Sequence, residues 1–368
     1  MNLNIFHTGD IHIGMKFSGY SDKIRASLIE ARFLSLENMI EQSNDLGTDL
    51  FVVAGDLFNT TQISKKDIER TKRILDKFSG SCVLVMPGNH DYDNGMVDLW
   101  TEFCKLPSEK ILYIGEKKPY YLEDYGLDIV VYPAPCHAKH SSENSLGWIK
   151  EQGLEQYGKH HIGIAHGALE GLSPDLVGNY YYMNKSELEN IPVDLWLLGH
   201  THVSYPENNK VVGWKIFNAG THEPDGLDCR NEGAAWSILI DSDKKIVGER
   251  VSTGLYRFYD KSFQIKSDEE LEDVSSWVQE NNPSKSIMRL SLEGRLSNNL
   301  YKELNSFYKD LEEKLLHLIV DDLKLRTKID KETIEREFTE GSFPYIFLND
   351  LIHDDEALQI AYDLIRRN

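Results

Sequence analysis

Basic residues are scarce in this chain relative to acidic ones. Over 368 residues, 40 Lys and Arg stand against 60 Asp and Glu, a formal net charge of −20. The deficit is spread along the chain, −12 up to residue 255 and −8 beyond it. Affinity for phosphate backbones comes largely from Lys and Arg, so the charge balance disfavours non-specific binding to a polyanion. A nucleic-acid substrate would need local attraction, from bound cations or from a partner subunit. Cysteine is sparse as well: Cys82, Cys104, Cys136 and Cys229 are scattered and form no C-x-x-C pair, which argues against a disulfide framework or a thiolate zinc site and suits a reducing cytoplasm. No apolar run approaches the roughly 20 residues of a membrane span. The start, MNLNIFHTGD, lacks a basic region followed by an apolar stretch and a small-residue cleavage site, so a soluble, cytoplasmic protein is expected.

What the chain does have is one recurring pattern in its first 220 residues: a short apolar run, then a small residue, then a polar group able to hold a metal. It occurs as LNIFHTGDIH, DLFVVAGD, CVLVMPGNHD, HHIGIAHG and DLWLLGHTH. Runs of this length, rich in Val, Ile and Leu and flanked by turn residues, read as buried strands. Helical segments such as KIRASLIEARFLSLENMIEQSNDL lie between them, so the expected class is α/β, with ligands gathering beyond the carboxyl ends of the strands. From Tyr256 the character changes to strand, helix, strand, helix, strand, a compact α+β unit, and from about residue 330 the tail reads as helical, broken at Gly341 and Pro344.

The polar groups at the strand ends are Asp10 and His12, then Asp56, then Asn89 and His90, then His166, then His200 and His202. Asp-x-His and His-x-His put alternate residues on one side of an extended chain, so that each pair addresses one point. Oxygen and imidazole ligands without thiolate suit Mn, Fe or Zn, and seven such groups exceed what one ion needs. Two divalent ions are implied, with Mn, Fe and Zn left open. A single strand-end Asp or His is ordinarily a cap; five such ends in one order are not.

In GDIH, GDLF, GNHD, AHG and GHTH the chain resembles the calcineurin-like metallophosphoesterases, over about residues 1–255. The resemblance implies two packed mixed β-sheets flanked by helices in four layers. It implies one ion held by Asp10, His12 and His202, the other by Asn89, His166 and His200, with Asp56 bridging. Two cations roughly 3.5–4 Å apart clamp a phosphate diester and acidify the water between them for in-line attack. His90 is then expected to serve the leaving oxygen, and Asp91 to orient or charge that imidazole, with a turn-capping role as its alternative.

Narrower features resemble the DNA-repair nuclease branch of the Mre11 and SbcD type: GDLF without a further acidic residue, the MRLSLEG strand of the small unit, and a tail with GSFPYIFLNDL and EALQIAYDLI similar to that of the bacterial YhaO-type exonucleases. This implies a catalytic domain at 1–255, a small α+β capping domain at 256–328 and a helical tail at 329–368. It also implies a DNA nuclease that uses Mn²⁺, with Fe²⁺ or Zn²⁺ as alternatives, an exonuclease acting at DNA ends with endonuclease action left open, working as a homodimer with an SMC-like ATPase of the Rad50 or SbcC kind. Asn59 departs from the branch, which often carries His or Asp there. Asn59 and His222 are candidate substrate contacts, Gly220, Glu232 and Gly233 shape the rim, His137 and His140 have a helical metal spacing that the site does not need, and Tyr180, Tyr181 and Tyr182 read as a packed loop surface. The competing readings are a phosphomonoesterase or cyclic-nucleotide phosphodiesterase, favoured by the acidic surface, and a catalytically silent assembly subunit.

Overall fold

Parallel strands that all finish at the same edge explain why the polar groups collect there. A computed structural model describes residues 2–173 and 178–366, in two compact units, Met1–Arg257 and Phe258–Asn368. In the first, β1 (Leu3–Thr8), α1 (Asp22–Asp45), β2 (Leu50–Ala54), α2 (Lys65–Leu75), β3 (Cys82–Met86), α3 (Asp98–Lys105) and β4 (Ile111–Tyr113) alternate, and the four strands pair in parallel. After β5 (Tyr120–Tyr121) come β6 (Ile129–Ala134), α4 (Gly147–Gln152), β7 (His160–His166), α5 (Lys185–Glu189) and β8 (Leu195–Gly199). Four more strands close the unit: β9 (Lys210–Val212), β10 (Ile216–Asn218), β11 (Ala234–Ile240) and β12 (Ile246–Ser252). The sheets run β4-β3-β2-β1-β11-β12-β9 and β10-β8-β7-β6-β5.

Side chains alternate across each strand, and here both faces are covered. Val52, Leu84, Ile162, Ile164 and Leu197 fill the space between the sheets. Phe51, Val53, Val83 and Val85 face Leu36, Met39, Ile68 and Phe103 of α1 to α3, while Tyr132, Ala165 and Trp196 face Ile149 and Leu188 of α4 and α5. Helix, sheet, sheet and helix stack as the four layers expected. Burial on both faces is why the central strands read as continuous apolar runs.

The second unit holds β13 (Arg257–Ile265), α6 (Glu270–Glu280), β14 (Ser286–Leu296), α7 (Asn298–Lys314) and β15 (His317–Thr327), with strand order β13-β14-β15. Leu271, Val274 and Val278 of α6 and Leu304 and Leu311 of α7 pack on Met288, Leu290 and Leu318. The tail forms α8 (Lys331–Glu337), α9 (Phe343–Asp350) and α10 (Asp355–Arg366), joined by Ile334, Leu348 and Leu358. Pro344, read from the sequence as a break, stands in the first turn of α9, where its missing N–H costs nothing. Among the described residues, no helix is long and apolar enough to cross a membrane.

Candidate metal centre

Four of the seven expected ligands have strained backbones. Asp10 (φ 53°), His12 (φ 50°), Asp56 (φ 53°) and His200 (φ 102°) lie in the left-handed region, which costs a non-glycine residue about 1–3 kcal/mol and clusters at functional sites. The strain turns each side chain off the end of its strand into one space. Close approach makes the space: a Cβ on Gly55 would lie 2.1 Å from His166 Nδ1, and one on Gly88 2.2 Å from Asp56 Oδ1. The loops after β1 and β2 are stitched by Asp10 N–H to Gly55 O (3.1 Å) and His12 N–H to Asp56 O (2.9 Å).

Asp10, His12 and His202 offer ligand atoms all within 4.8 Å of one another, and so do Asp10, Asp56 and His166. His12 Nε2 lies 3.2 Å from His202 Nε2 and 3.8 Å from Asp56 Oδ2. Asp56 Oδ2 is also 3.3 Å from His166 Nε2, and Asn89 Oδ1 is 3.0 Å from both His166 Nε2 and His200 Nδ1. All seven expected ligands therefore meet in one place, as two groups that Asp56 touches on both sides. Asp10 also reaches both, and its carboxylate accepts the His200 N–H at 2.8 Å.

Electrostatics bear on whether cations fit. Burial would lower the His166 imidazole, but the Asp56 carboxylate beside it wins and pushes it up to about 9. Burial would likewise raise Asp56, yet the charge and hydrogen bond of His166 hold it below the usual carboxylate range. Burial pushes the Asp10 carboxyl up to about 6, drives His200 down to about 3 and keeps His12 well below its ordinary value. His12 and His200 are thus neutral imidazoles, the form that binds metal. Ligand atoms about 2.1 Å from one ion lie roughly 3.0–3.4 Å apart, the spacing found between His12 and His202 and around Asn89. Two divalent cations fit this donor set. Second partners orient the rings: His166 Nδ1–H donates to Ala54 O at 2.8 Å, and His202 Nδ1 meets Asp225 Oδ2 at 2.9 Å.

His90 stands beside the first group, its ring edge-on to His12 with centroids 4.9 Å apart. Its Nδ1–H donates to the Asn59 carbonyl at 3.1 Å, and its backbone N–H to Asp56 Oδ1 at 2.8 Å. Asn59 thus acts on His90 through its main chain, a role its side-chain identity does not announce.

Two expectations are corrected. Asp91 does not orient His90. Its buried carboxylate folds back to accept Gly88 N–H at 2.7 Å and Phe58 N–H at 2.9 Å, tying the second and third motifs together; burial, with the Asp56 charge, pushes it up to about 8. His222 is no substrate contact, because it is fully buried with Nε2 on the Arg32 carbonyl at 3.3 Å. Nor do His137 and His140 form a pair: His137 Nδ1–H donates to Asp93 O at 2.7 Å, and His140 lies edge-on to Tyr180. The tyrosine run divides. Tyr181 is buried, its hydroxyl accepting from His137 and Ala138 N–H, whereas Tyr180 stacks on His200 with centroids 5.3 Å apart. Sequence reading missed Arg32 and Asp225, and took Tyr180 only as part of a packed loop surface. Arg32 left a signal as a charge on the apolar stripe of α1.

Glu223, in the loop carrying Asp225, is 1% exposed and accepts from Leu255 and Tyr256 N–H at 2.6 and 2.8 Å. Burial pushes it up to about 7 from an ordinary 4.5, against those hydrogen bonds. An acid whose folded value is raised stabilises the fold fully below its unfolded value, and that stability is lost as pH rises through the folded one. The loss is on the order of 3 kcal/mol, at roughly 1.4 kcal/mol per unit. Glu223→Gln, which cannot ionise, should therefore gain in urea midpoint relative to wild type between pH 5 and 8, measured with metal chelated. Parallel pH profiles for the two proteins would refute this.

A relative in Bacillus subtilis strain 168, "Uncharacterized metallophosphoesterase YhaO", is 28% identical over 217 residues, 55% of this chain and 49% of the relative. The chain thus spans about half the length of that curated relative. The chain is also similar to the crystal structure of TT1561 of Thermus thermophilus, at 12% identity and a TM-score of 0.42, covering 69% of this chain and 100% of that one. The calcineurin-like phosphoesterase profile matches residues 3–204. That is more than half of the sequence and includes every motif that builds the metal centre, so the chain belongs to the calcineurin-like phosphoesterase family, whose members bind two divalent metal ions.

Proposed function

We propose that this protein is a dinuclear-metal-dependent DNA nuclease that hydrolyses phosphodiester bonds. The observation that carries the hydrolytic reading is the meeting of two imidazole groups across Asp56, 3.3 Å from His166 and 3.8 Å from His12. Asp10, His12 and His202 would hold one ion and Asn89, His166 and His200 the other, with the Asp56 carboxylate reaching both groups. When bound, the two ions supply positive charge to phosphate oxygens and Lewis acidity to water. The chain's own part is positional: imidazoles face the centre, Ala54 O and Asp225 orient the His166 and His202 rings through Nδ1, and Tyr180 walls the His200 side.

His90 handles the proton on the leaving side. Its Nδ1–H is committed to the Asn59 carbonyl, which orients the ring and leaves Nε2 to serve a departing alkoxide. The diester preference and DNA as substrate rest on the GDLF motif and on the second unit, which a small phosphate ester does not need. A homodimer and an SMC-like ATPase partner, in the cytoplasm, complete the reading, the partner supplying backbone contacts that a chain of charge −20 lacks. That charge favours one rival, a phosphomonoesterase. With Mn²⁺ loaded, an aryl phosphate, a bis-aryl phosphodiester and end-labelled single- and double-stranded DNA should be compared, with His200→Ala as control. Cleavage of DNA and the diester, lost in the control, is expected; turnover of the monoester alone would overturn the nuclease reading.

A further inference from the structure

Arg32 is an expensive residue with weak direct partners. Its side chain is 1% exposed, and removing a cation from water costs several kcal/mol unless charge and hydrogen bonds compensate. Nη1–H donates to the Ile11 carbonyl at 3.1 Å, Nη2 lies 3.8 Å from Met15 Sδ and 4.0 Å from Asp225 Oδ2, and Nε has no partner among the described residues. Packing alone does not call for a guanidinium, since Leu28, Ala31, Leu36 and Met39 fill the same stripe of α1. What Arg32 reaches are two parts of the first ligand group. Ile11 separates Asp10 from His12, and Asp225 is the carboxylate that meets His202 Nδ1.

We propose that Arg32 and Asp225 are positioning residues of the metal centre: Asp225 holds His202 as its Nδ1–H tautomer with Nε2 turned to Asp10 and His12, and Arg32 supplies the counter-charge for Asp225 while pinning the Asp10–His12 loop through the Ile11 carbonyl. One guanidinium thereby couples the first and the last motif. A carboxylate behind a ligating imidazole fixes ring orientation and raises ligand basicity, and removing such a partner typically weakens metal affinity about 10–100-fold. The surrounding loop is built to hold Asp225 still. The Thr221 hydroxyl donates to Asp10 O at 3.2 Å, Glu223 is anchored by two backbone N–H groups, and Asn231 Nδ2 donates to His202 O at 2.6 Å.

This inference rests on His202 being a ligand, and the test separates the two claims. Mn²⁺ binding to metal-free protein would be titrated calorimetrically, with Co²⁺ absorption reporting coordination, for wild type, His202→Ala, Asp225→Ala, Asp225→Asn and Arg32→Met. Asp225→Ala should weaken one of two ions about 10–100-fold and leave the other unchanged. Asp225→Asn, which keeps an acceptor for Nδ1–H, should recover part of the loss. Arg32→Met should weaken the same ion, with effects that do not add in the double variant; should it fail to fold, the Asp225 pair decides. If His202→Ala weakens neither ion, the ligand reading fails. If His202→Ala weakens one ion while Asp225→Ala binds both as wild type, or weakens both equally, the positioning role is wrong.

Discussion

Asp56→Asn is expected to lower metal-dependent kcat/KM by about 10³-fold or more while leaving the chain folded. Asn keeps an Oδ1 acceptor for the His90 N–H and tolerates the left-handed backbone at φ 53° better than most residues. What it removes is the charge between His12 and His166. Both ions lose a ligand at once, and metal charge stabilisation is worth several kcal/mol at about 1.4 kcal/mol per tenfold in rate. Steady-state kinetics under saturating Mn²⁺, beside a thermal melt, provide the check. A folded variant within tenfold of wild type would mean that Asp56 does not join the two groups.

The second large effect separates metal binding from proton transfer. His90→Ala should keep two ions, because His90 is not among the seven expected ligands and its Nδ1–H is committed to the Asn59 carbonyl, yet lose about 10²–10⁴-fold in kcat, the usual contribution of a positioned acid. The loss should depend on the leaving group: near its maximum for a DNA alkoxide, which needs the proton, and much smaller for an aryl diester, whose phenolate leaves unaided. Equal losses on both substrates would make His90 a phosphate-binding group instead. Loss of an ion would make it a ligand, and either result would redraw the leaving side of the site.

These effects concern residues that stood out in the sequence, and the reason is physical. A group that ends a buried strand is placed by the strand, so the motifs carrying Asp10, Asp56, Asn89, His166 and His200 declared their common destination through apolar runs alone. The sheets followed for the same reason, since strands buried on both faces leave uninterrupted Val, Ile and Leu. Residues that act across the fold left little trace. Asp225 sits in an irregular loop and meets His202 only because the segment from Thr221 to Glu223 is tied down. Asp91 was misread because adjacency to His90 suggested contact, whereas successive side chains in a turn point apart, and its carboxylate was needed by two buried N–H groups. His222 was misread because the loop around it looks polar, while α1 lies over it and supplies the Arg32 carbonyl.

The claim beneath all of these is that seven side chains from five strand ends hold a pair of ions. Diffraction from Mn²⁺-soaked crystals, recorded to bring out the anomalous signal of manganese, tests it directly. Two peaks about 3.5–4 Å apart are expected, one beside Asp10, His12 and His202, the other beside Asn89, His166 and His200, with the Asp56 carboxylate between them. A single peak, or two peaks in separate places with Asp56 touching neither, would contradict it.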